Sequence, residues 1–293
     1  MSLIAILLSL FAENYWHGLE RWRHYDWFNR YVTALLPWLE KPHIPQGPVT
    51  VLALMLPPIL LVWLSGVMLA GIWSGFGYLF GIAVLIFCLG PQDLNRQVQQ
   101  YLHAVENEDE VEAKRLACEI LGDVCDDSDA PMQIAENLRE ALLTQIVDRI
   151  LGVFFWFVVL GPVGAILFRA AQLLQQTGRH GSDVFASATQ RLYAIVYWLP
   201  ARLCVLGYAL AGNFVDTMSY WISPADLWRR ESRDLLLVSG VGSLRQDMRV
   251  TTEKWLDGQD ITIGVSHALA LVKRTVIVWL VVLALLTLAG WLL

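Results

Sequence analysis

The chain is short of charge, and it lacks the usual nucleotide-binding and nucleophile signatures. Charged residues make up 16% of its 293 positions, against roughly 25% in a soluble domain. Lys and Arg number 21 against 27 Asp and Glu, for a net charge of −6. The basic surface that a nucleic-acid backbone requires is therefore absent, and no nucleic-acid partner is expected. Lys41, Lys114, Lys254 and Lys273 never follow a glycine, which excludes a GxxxxGK[ST] phosphate loop. Gly75, Gly77 and Gly81 do not make GxGxxG, and neither GxSxG nor HExxH occurs. Cys88, Cys118, Cys125 and Cys204 are scattered without a CxxC pair and read as reduced packing residues, not as a zinc site or a disulfide frame. No segment alternates polar and apolar residues as a half-buried strand would.

What the chain has instead is hydrophobic length, with 56% apolar residues and a mean hydropathy of +0.49. Val49–Leu69 and Ile72–Leu89 are apolar runs close to the ~20 residues that a helix needs to cross hydrocarbon. Only Ala70 and Gly71 separate them, which demands a helical hairpin, and Gly75, Gly77 and Gly81 would let its helices approach closely. Leu151–Phe168, Leu192–Leu210 and Thr275–Leu293 are three further runs. The expected fold class is all-α, a polytopic membrane helical bundle of about five spans. Its segments are an aromatic-rich amphipathic stretch over 1–48, the transmembrane hairpin over 49–90, a helical segment over 91–150, two spans over 151–210, a second helical segment over 211–274 and a C-terminal span over 275–293.

All basic residues except Arg169, Arg179, Arg191 and Arg202 fall in 1–48, 90–150 and 211–274. The positive-inside rule puts these segments in the cytoplasm and the C-terminus outside, with Lys273 and Arg274 as a cytoplasmic anchor. Met1–Ala12 has neither a basic n-region nor a small-residue cleavage site. It reads as a half-buried helix and not as a cleaved signal.

Leu94, Val98, Tyr101, Leu102 and Val105, then Val111, Leu116 and Ile120, repeat at helical spacing on either side of an acidic turn at Glu106–Glu110. This predicts a soluble helical pair. A helix over Pro131–Asp148 meets no breaker before Phe154 and should run straight into the third crossing. Glu13–Trp38 holds Tyr15, Trp16, Trp22, Tyr25, Trp27, Phe28, Tyr31 and Trp38, an aromatic content that suits the membrane interface.

Glu13, His17, Glu20 and His24 share one helical face. They could hold a divalent metal; a polar face paired with Arg21 or Arg23 is the alternative. The acidic stretch Glu106–Asp129 reads as solvated surface. Arg202 lies inside an apolar run, at a cost of at least ~2.5 kcal/mol, so it should face a partner, a lipid phosphate or a polar cavity. Asp148, Arg149, Arg169 and Arg191 lie near helix ends, where snorkelling suffices.

The block RILGVFFWFVVLGPVGAILFR, Arg149–Arg169, and YWLPARLCVLGYALAG, Tyr197–Gly212, resemble the AmpE family, as do the early Glu13, the hairpin and ALLTLAG at Ala284–Gly290. That resemblance implies an inner-membrane modulator of β-lactamase induction in a cell-wall-recycling setting, with cell-wall-recycling proteins as partners. AmpE is in turn similar to the adenosylcobinamide-phosphate synthases, which join an aminopropanol unit to a corrinoid carboxylate using nucleotide energy. The PAR of their PARL motif is Pro200, Ala201 and Arg202 here. Their Gly-Pro, aromatic and basic residues fall on Gly161, Pro162, Phe168 and Arg169, and a preceding aspartate falls on Asp148, with Glu140 upstream. The chain departs where those enzymes carry Glu-Asn (Thr144, Gln145), Asn-Thr-Leu-Asp (Gln172, Leu173, Leu174, Gln175) and paired aspartates (Tyr193, Ala194). Carboxylates that would hold magnesium against phosphate are missing there.

The expectation is thus a non-catalytic AmpE-type sensor, binding an anionic metabolite or phospholipid through Arg202, Arg169, Arg191, Asp148 and Glu140. The alternative is a membrane ligase or transferase related to the corrinoid enzymes. Transport finds little support, because the runs show no internal repeat.

Overall fold

The computed structural model describes residues 5–9, 25–39, 47–89, 94–122, 125, 130–179, 182–219, 231–251 and 261–289. Among the described residues there is no strand, so the chain is all-α as its hydropathy requires. After a helical turn at 5–9 come α1 (Asp26–Leu39), α2 (Pro48–Ile72), α3 (Ser74–Cys88), α4 (Leu94–Glu106) and α5 (Glu110–Leu121). Then follow α6 (Pro131–Ile146), a π turn (Val147–Leu151), α7 (Gly152–Leu160), α8 (Pro162–Gly178) and α9 (Asp183–Ala211). The last are α10 (Phe214–Ser219), α11 (Ser232–Thr251) and α12 (Ile261–Leu288).

Among the described residues four helical stretches are long and apolar enough to cross a membrane: Pro48–Ile72, Pro131–Leu160, Asp183–Ala211 and Thr262–Leu288. Pro131–Leu160 is the continuous rod that the absence of a breaker implied, with the π turn inside it.

Two expected spans change. The second hairpin arm, α3, has only 15 residues, a rise of about 22 Å that falls short of the ~30 Å hydrocarbon core. The run Leu151–Phe168 is cut in two. Pro162 opens a new helix and Gly161 takes φ +66 before it, a left-handed geometry that costs little only for glycine. A β-carbon at Gly164 would lie 2.0 Å from the Trp156 carbonyl oxygen, so glycine there lets α8 fold back tightly against α7.

The chain divides into two compact units, one comprising Met1–Pro91, Asp148–Pro200 and Ala284–Leu293, the other Gln92–Val147 and Ala201–Leu283. In the first, α8 packs on α7, α2, α3 and α1, while α2 packs on α3 and α1. Leu54, Leu85, Phe168 and Leu174 fill its core. Leu61, Leu64, Val67 and Met68 of α2 are more than half exposed, an apolar surface suited to lipid. Gly77 meets Ala70, where an added β-carbon would sit 3.0 Å away.

Prolines inside these helices leave carbonyls without their i+4 donors. Pro58 does this to Leu54 and Pro200 to Val196. Each is repaired from another helix: Tyr31 Oη donates to the Leu54 carbonyl at 3.0 Å, and Trp156 Nε1 donates to that of Val196 at 3.0 Å. Within hydrocarbon no water could substitute for these donors.

In the second unit α4 and α5 form the expected helical pair, with Glu108 at φ +57 in the acidic turn and Asp109 capping α5 by accepting from the Glu112 amide at 3.1 Å. The helix α5 packs on α6, α6 on α11, and α10 on α11. Tyr208 donates to the Leu143 carbonyl at 2.6 Å.

The cysteines need one correction. Cys88 and Cys204 are buried free thiols, but Cys118 and Cys125 form a disulfide with Cα atoms 5.1 Å apart. Gly122, at φ +61, turns the chain back after α5, and this reversal brings together two positions whose spacing alone gave no such signal.

Candidate functional site

Among the described residues of the first unit buried charge is scarce, and the two clearest cases are Asp148 and Arg169, 7% and 3% exposed. Asp148 sits in the π turn, a wider coil that interrupts the regular ladder and recurs at functional positions. Tyr193 of α9 donates its hydroxyl to Asp148 Oδ1. Its ring lies 6.3 Å from that of Phe168 and 5.1 Å from that of Tyr197. Arg149, next in the π turn, lies within the fields of both Asp148 and Arg169.

Arg169 answers to the end of α3. Nε donates to the Cys88 carbonyl at 2.7 Å, Nη2 donates to the same oxygen, and Nη1 donates to Gln172 Oε1. The guanidinium also lies 5.6 Å from the centre of the Tyr25 ring. Tyr25 Oη in turn donates to the carbonyls of Phe87 at 2.8 Å and Leu89 at 3.3 Å. A helix C-terminus carries about half a negative charge and unpaired carbonyls. Arg169 and Tyr25 together satisfy that end from other parts of the chain, which is what makes a buried guanidinium tolerable there.

Arg202 is buried in the second unit, 5% exposed, and its Nη1 donates to Ser232. The partner its apolar surroundings demanded is therefore a hydroxyl thirty residues away in sequence. Arg191 and Glu140 are both exposed, on α9 and α6. Of the five residues expected to bind an anion, the structure therefore buries Asp148 and Arg169 in one unit and Arg202 in the other, and leaves two at the surface. Glu13, His17, Glu20 and His24 lie outside the described residues. Among the described residues no group of three or more His, Cys, Asp or Glu comes together as a metal site.

Three positions where the chain departs from the corrinoid-enzyme motifs make working contacts. Gln145 Nε2 donates to the Ile120 carbonyl at 3.3 Å, Gln172 accepts from Arg169, and Tyr193 holds Asp148. Tyr25, Tyr193 and Ser232 were missed as partners because each contact spans two segments that no local pattern links, whereas Gln172 lies three residues from Arg169 on α8, a helical spacing that could have pointed to it. On the exposed α4–α5 pair, by contrast, Arg115 donates to both oxygens of Glu112 and holds its carboxyl below the usual range.

These features define a polytopic helical membrane protein in which buried Asp148, Arg169 and Arg202 each meet a protein partner. Residues 3–236 match the family model described as CobD/Cbib protein, and the chain belongs to that family. It is 27% identical over 252 residues to the cobalamin biosynthesis protein CobD of Stutzerimonas stutzeri (strain A1501), covering 81% of this chain and 80% of the relative. It is 30% identical over 114 residues to the cobalamin biosynthesis protein CobD of Chromobacterium violaceum, covering 38% and 36%. No solved structure matches. The similarity overturns the reading as a non-catalytic AmpE-type modulator of β-lactamase induction: the relatives are named for cobalamin biosynthesis, and the family match takes in the aromatic N-terminal stretch, the hairpin and Arg202 alike.

Proposed function

We propose that the protein is a membrane-bound ligase or transferase of corrinoid assembly, joining an amino alcohol to a corrinoid carboxylate at the expense of a nucleotide. The observation that carries this reading is the similarity over four-fifths of both chains to a cobalamin biosynthesis protein. In amide formation the amine nitrogen attacks the activated carboxyl carbon, a C–N bond forms, the amine proton passes to a base and the activating phosphate leaves. Asp148, kept in place by Tyr193, is suited to meet the cationic amine end. Arg202 is suited to an anionic carboxylate or phosphate. Arg169 serves the scaffold by closing α3. Arg191 and Glu140 lie at the surface.

The bilayer is a bacterial inner membrane, and the α4–α5 pair lies on its cytoplasmic side with the basic segments, where a nucleotide is available. A reporter fused after the C-terminal helix should be silent in the cytoplasm, and cytoplasmic reporter activity would reverse this orientation.

Complementation tests the function. In a bacterium lacking its own membrane enzyme for this step, the chain should restore cobalamin-dependent growth on an incomplete corrinoid, and Asp148→Asn and Arg202→Met should not. Protein that inserts in the membrane yet restores no growth would refute the reading.

A further inference from the structure

We infer that Tyr193 is a positioning residue of the candidate site, fixing the carboxylate of Asp148 in one orientation for the amine substrate; this rests on the ligase reading above. The argument begins at Gly152, directly after the π turn. A β-carbon there would lie 2.1 Å from Phe168 Cζ, so glycine is what lets the Phe168 ring press against the turn that carries Asp148.

Phe168, fully buried, then faces Tyr193, with centroids 6.3 Å apart and planes inclined at 45°. Tyr197, one helical turn further along α9, lies against Tyr193 at 5.1 Å and 37°. The Tyr193 ring is therefore in contact with aromatic rings from α8 and from its own helix. It is 4% exposed, and with two side-chain torsions it has little freedom to move its hydroxyl.

That hydroxyl donates to Asp148 Oδ1. A carboxylate in such surroundings is costly unless a donor meets it, and a bond from a neutral hydroxyl to a charged acceptor is among the stronger kinds. The aromatic stack thus sets the oxygen position of the buried Asp148 carboxylate. Merely filling space would require the ring but not the hydroxyl, which makes Tyr193→Phe the discriminating change.

The experiment uses the purified full chain in lipid nanodiscs, with a corrinoid carboxylic acid, aminopropanol or its phosphate, and magnesium nucleotide. Turnover and thermal midpoint are measured for wild type, Tyr193→Phe, Asp148→Asn and Tyr208→Phe. Tyr208, whose hydroxyl meets the Leu143 carbonyl in the other unit, is the structural control.

The expected result for Tyr193→Phe is a fall in kcat of about 10- to 100-fold, the range a hydrogen bond to a charged group can carry. KM should stay within about twofold, and the thermal midpoint should fall by an amount similar to that of Tyr208→Phe, with the protein still folded at the assay temperature. Tyr208→Phe should lower the thermal midpoint and leave kcat alone. If wild type turns over and Tyr193→Phe matches it, or loses activity only in step with its thermal midpoint, the positioning role is overturned while the ligase reading stands. Turnover absent from folded wild-type protein overturns the ligase reading, and the role of Tyr193 falls with it.

Discussion

The first unit and the turn between α4 and α5 satisfy unpaired backbone groups in opposite ways. In the first unit the carbonyls of Leu54, Phe87, Cys88 and Val196 receive donors from distant side chains, namely Tyr31, Tyr25, Arg169 and Trp156. At the turn between α4 and α5 in the second unit the repairs are local. The Asp109 carboxylate accepts from the Glu112 amide, and the Asp109 amide donates to the Ala104 carbonyl at 3.0 Å. The difference follows the medium. A loop in water can leave a carbonyl to solvent, whereas a helix in hydrocarbon must find a protein donor wherever one can be brought.

The largest expected effect comes from closing the tight corner of the first unit. Gly164→Ala puts a methyl group into the Trp156 carbonyl and should cost about 3 kcal/mol or more, since backbone cannot rotate away. The thermal midpoint in detergent checks it, and a midpoint like wild type would show that α7 and α8 are not so close.

Arg169→Met should follow at about 2–4 kcal/mol, because it leaves the Cys88 carbonyl and Gln172 without their buried donor. Arg169→Lys, which offers a single ammonium where a planar fork now sits, should recover only part of that.

A smaller effect tests the comparison itself. Tyr31→Phe should cost about 1–2 kcal/mol in the native background and close to nothing beside Pro58→Ala, which restores an amide to the Leu54 carbonyl. The same relation should hold for Trp156→Phe beside Pro200→Ala. Additive losses in either double-mutant cycle would break the link between proline and aromatic donor.

Smallest of all is Arg115→Ala, on the exposed pair, for which no measurable change in thermal midpoint is expected. The sign of its pH dependence is nonetheless fixed. Because Arg115 lowers the Glu112 carboxyl, any stabilisation is present above the ordinary carboxylate range and is lost as pH falls through the lowered value. A thermal-midpoint difference between wild type and variant that widened towards acid would contradict it.

Much of the scaffold was legible in the residues. Hydropathy located the hairpin, the long rod through Asp148 and the helical pair around Glu106–Glu110, because apolar length and helical periodicity are local properties. Arg202 announced that it needed a partner, but not that Ser232 would be it. The broken run at Gly161–Pro162 was open to reading, since a Gly-Pro pair disfavours a continuous helix, yet apolar content concealed it. Nothing local tied Tyr31 to Leu54 or Arg169 to Cys88, although Pro58 and Pro200 did mark which carbonyls would want donors.

The candidate site was harder to read for a related reason. Gln172 and Tyr193 stand where the corrinoid enzymes' motifs carry an asparagine and an aspartate, and those departures suggested lost chemistry. In the folded chain one anchors a guanidinium and the other orients the remaining aspartate. Charge lost at one position says little about a site until the contacts of its replacement are known.

The most direct test of membership in corrinoid assembly is chemical. Nanodisc-embedded protein, given a corrinoid carboxylic acid, aminopropanol or its phosphate and magnesium nucleotide, should release a corrinoid amide whose mass by mass spectrometry equals the two substrates joined with loss of water, and Asp148→Asn should abolish it. Folded, membrane-inserted protein that yields no such amide, with both substrates recovered intact, would contradict the assignment.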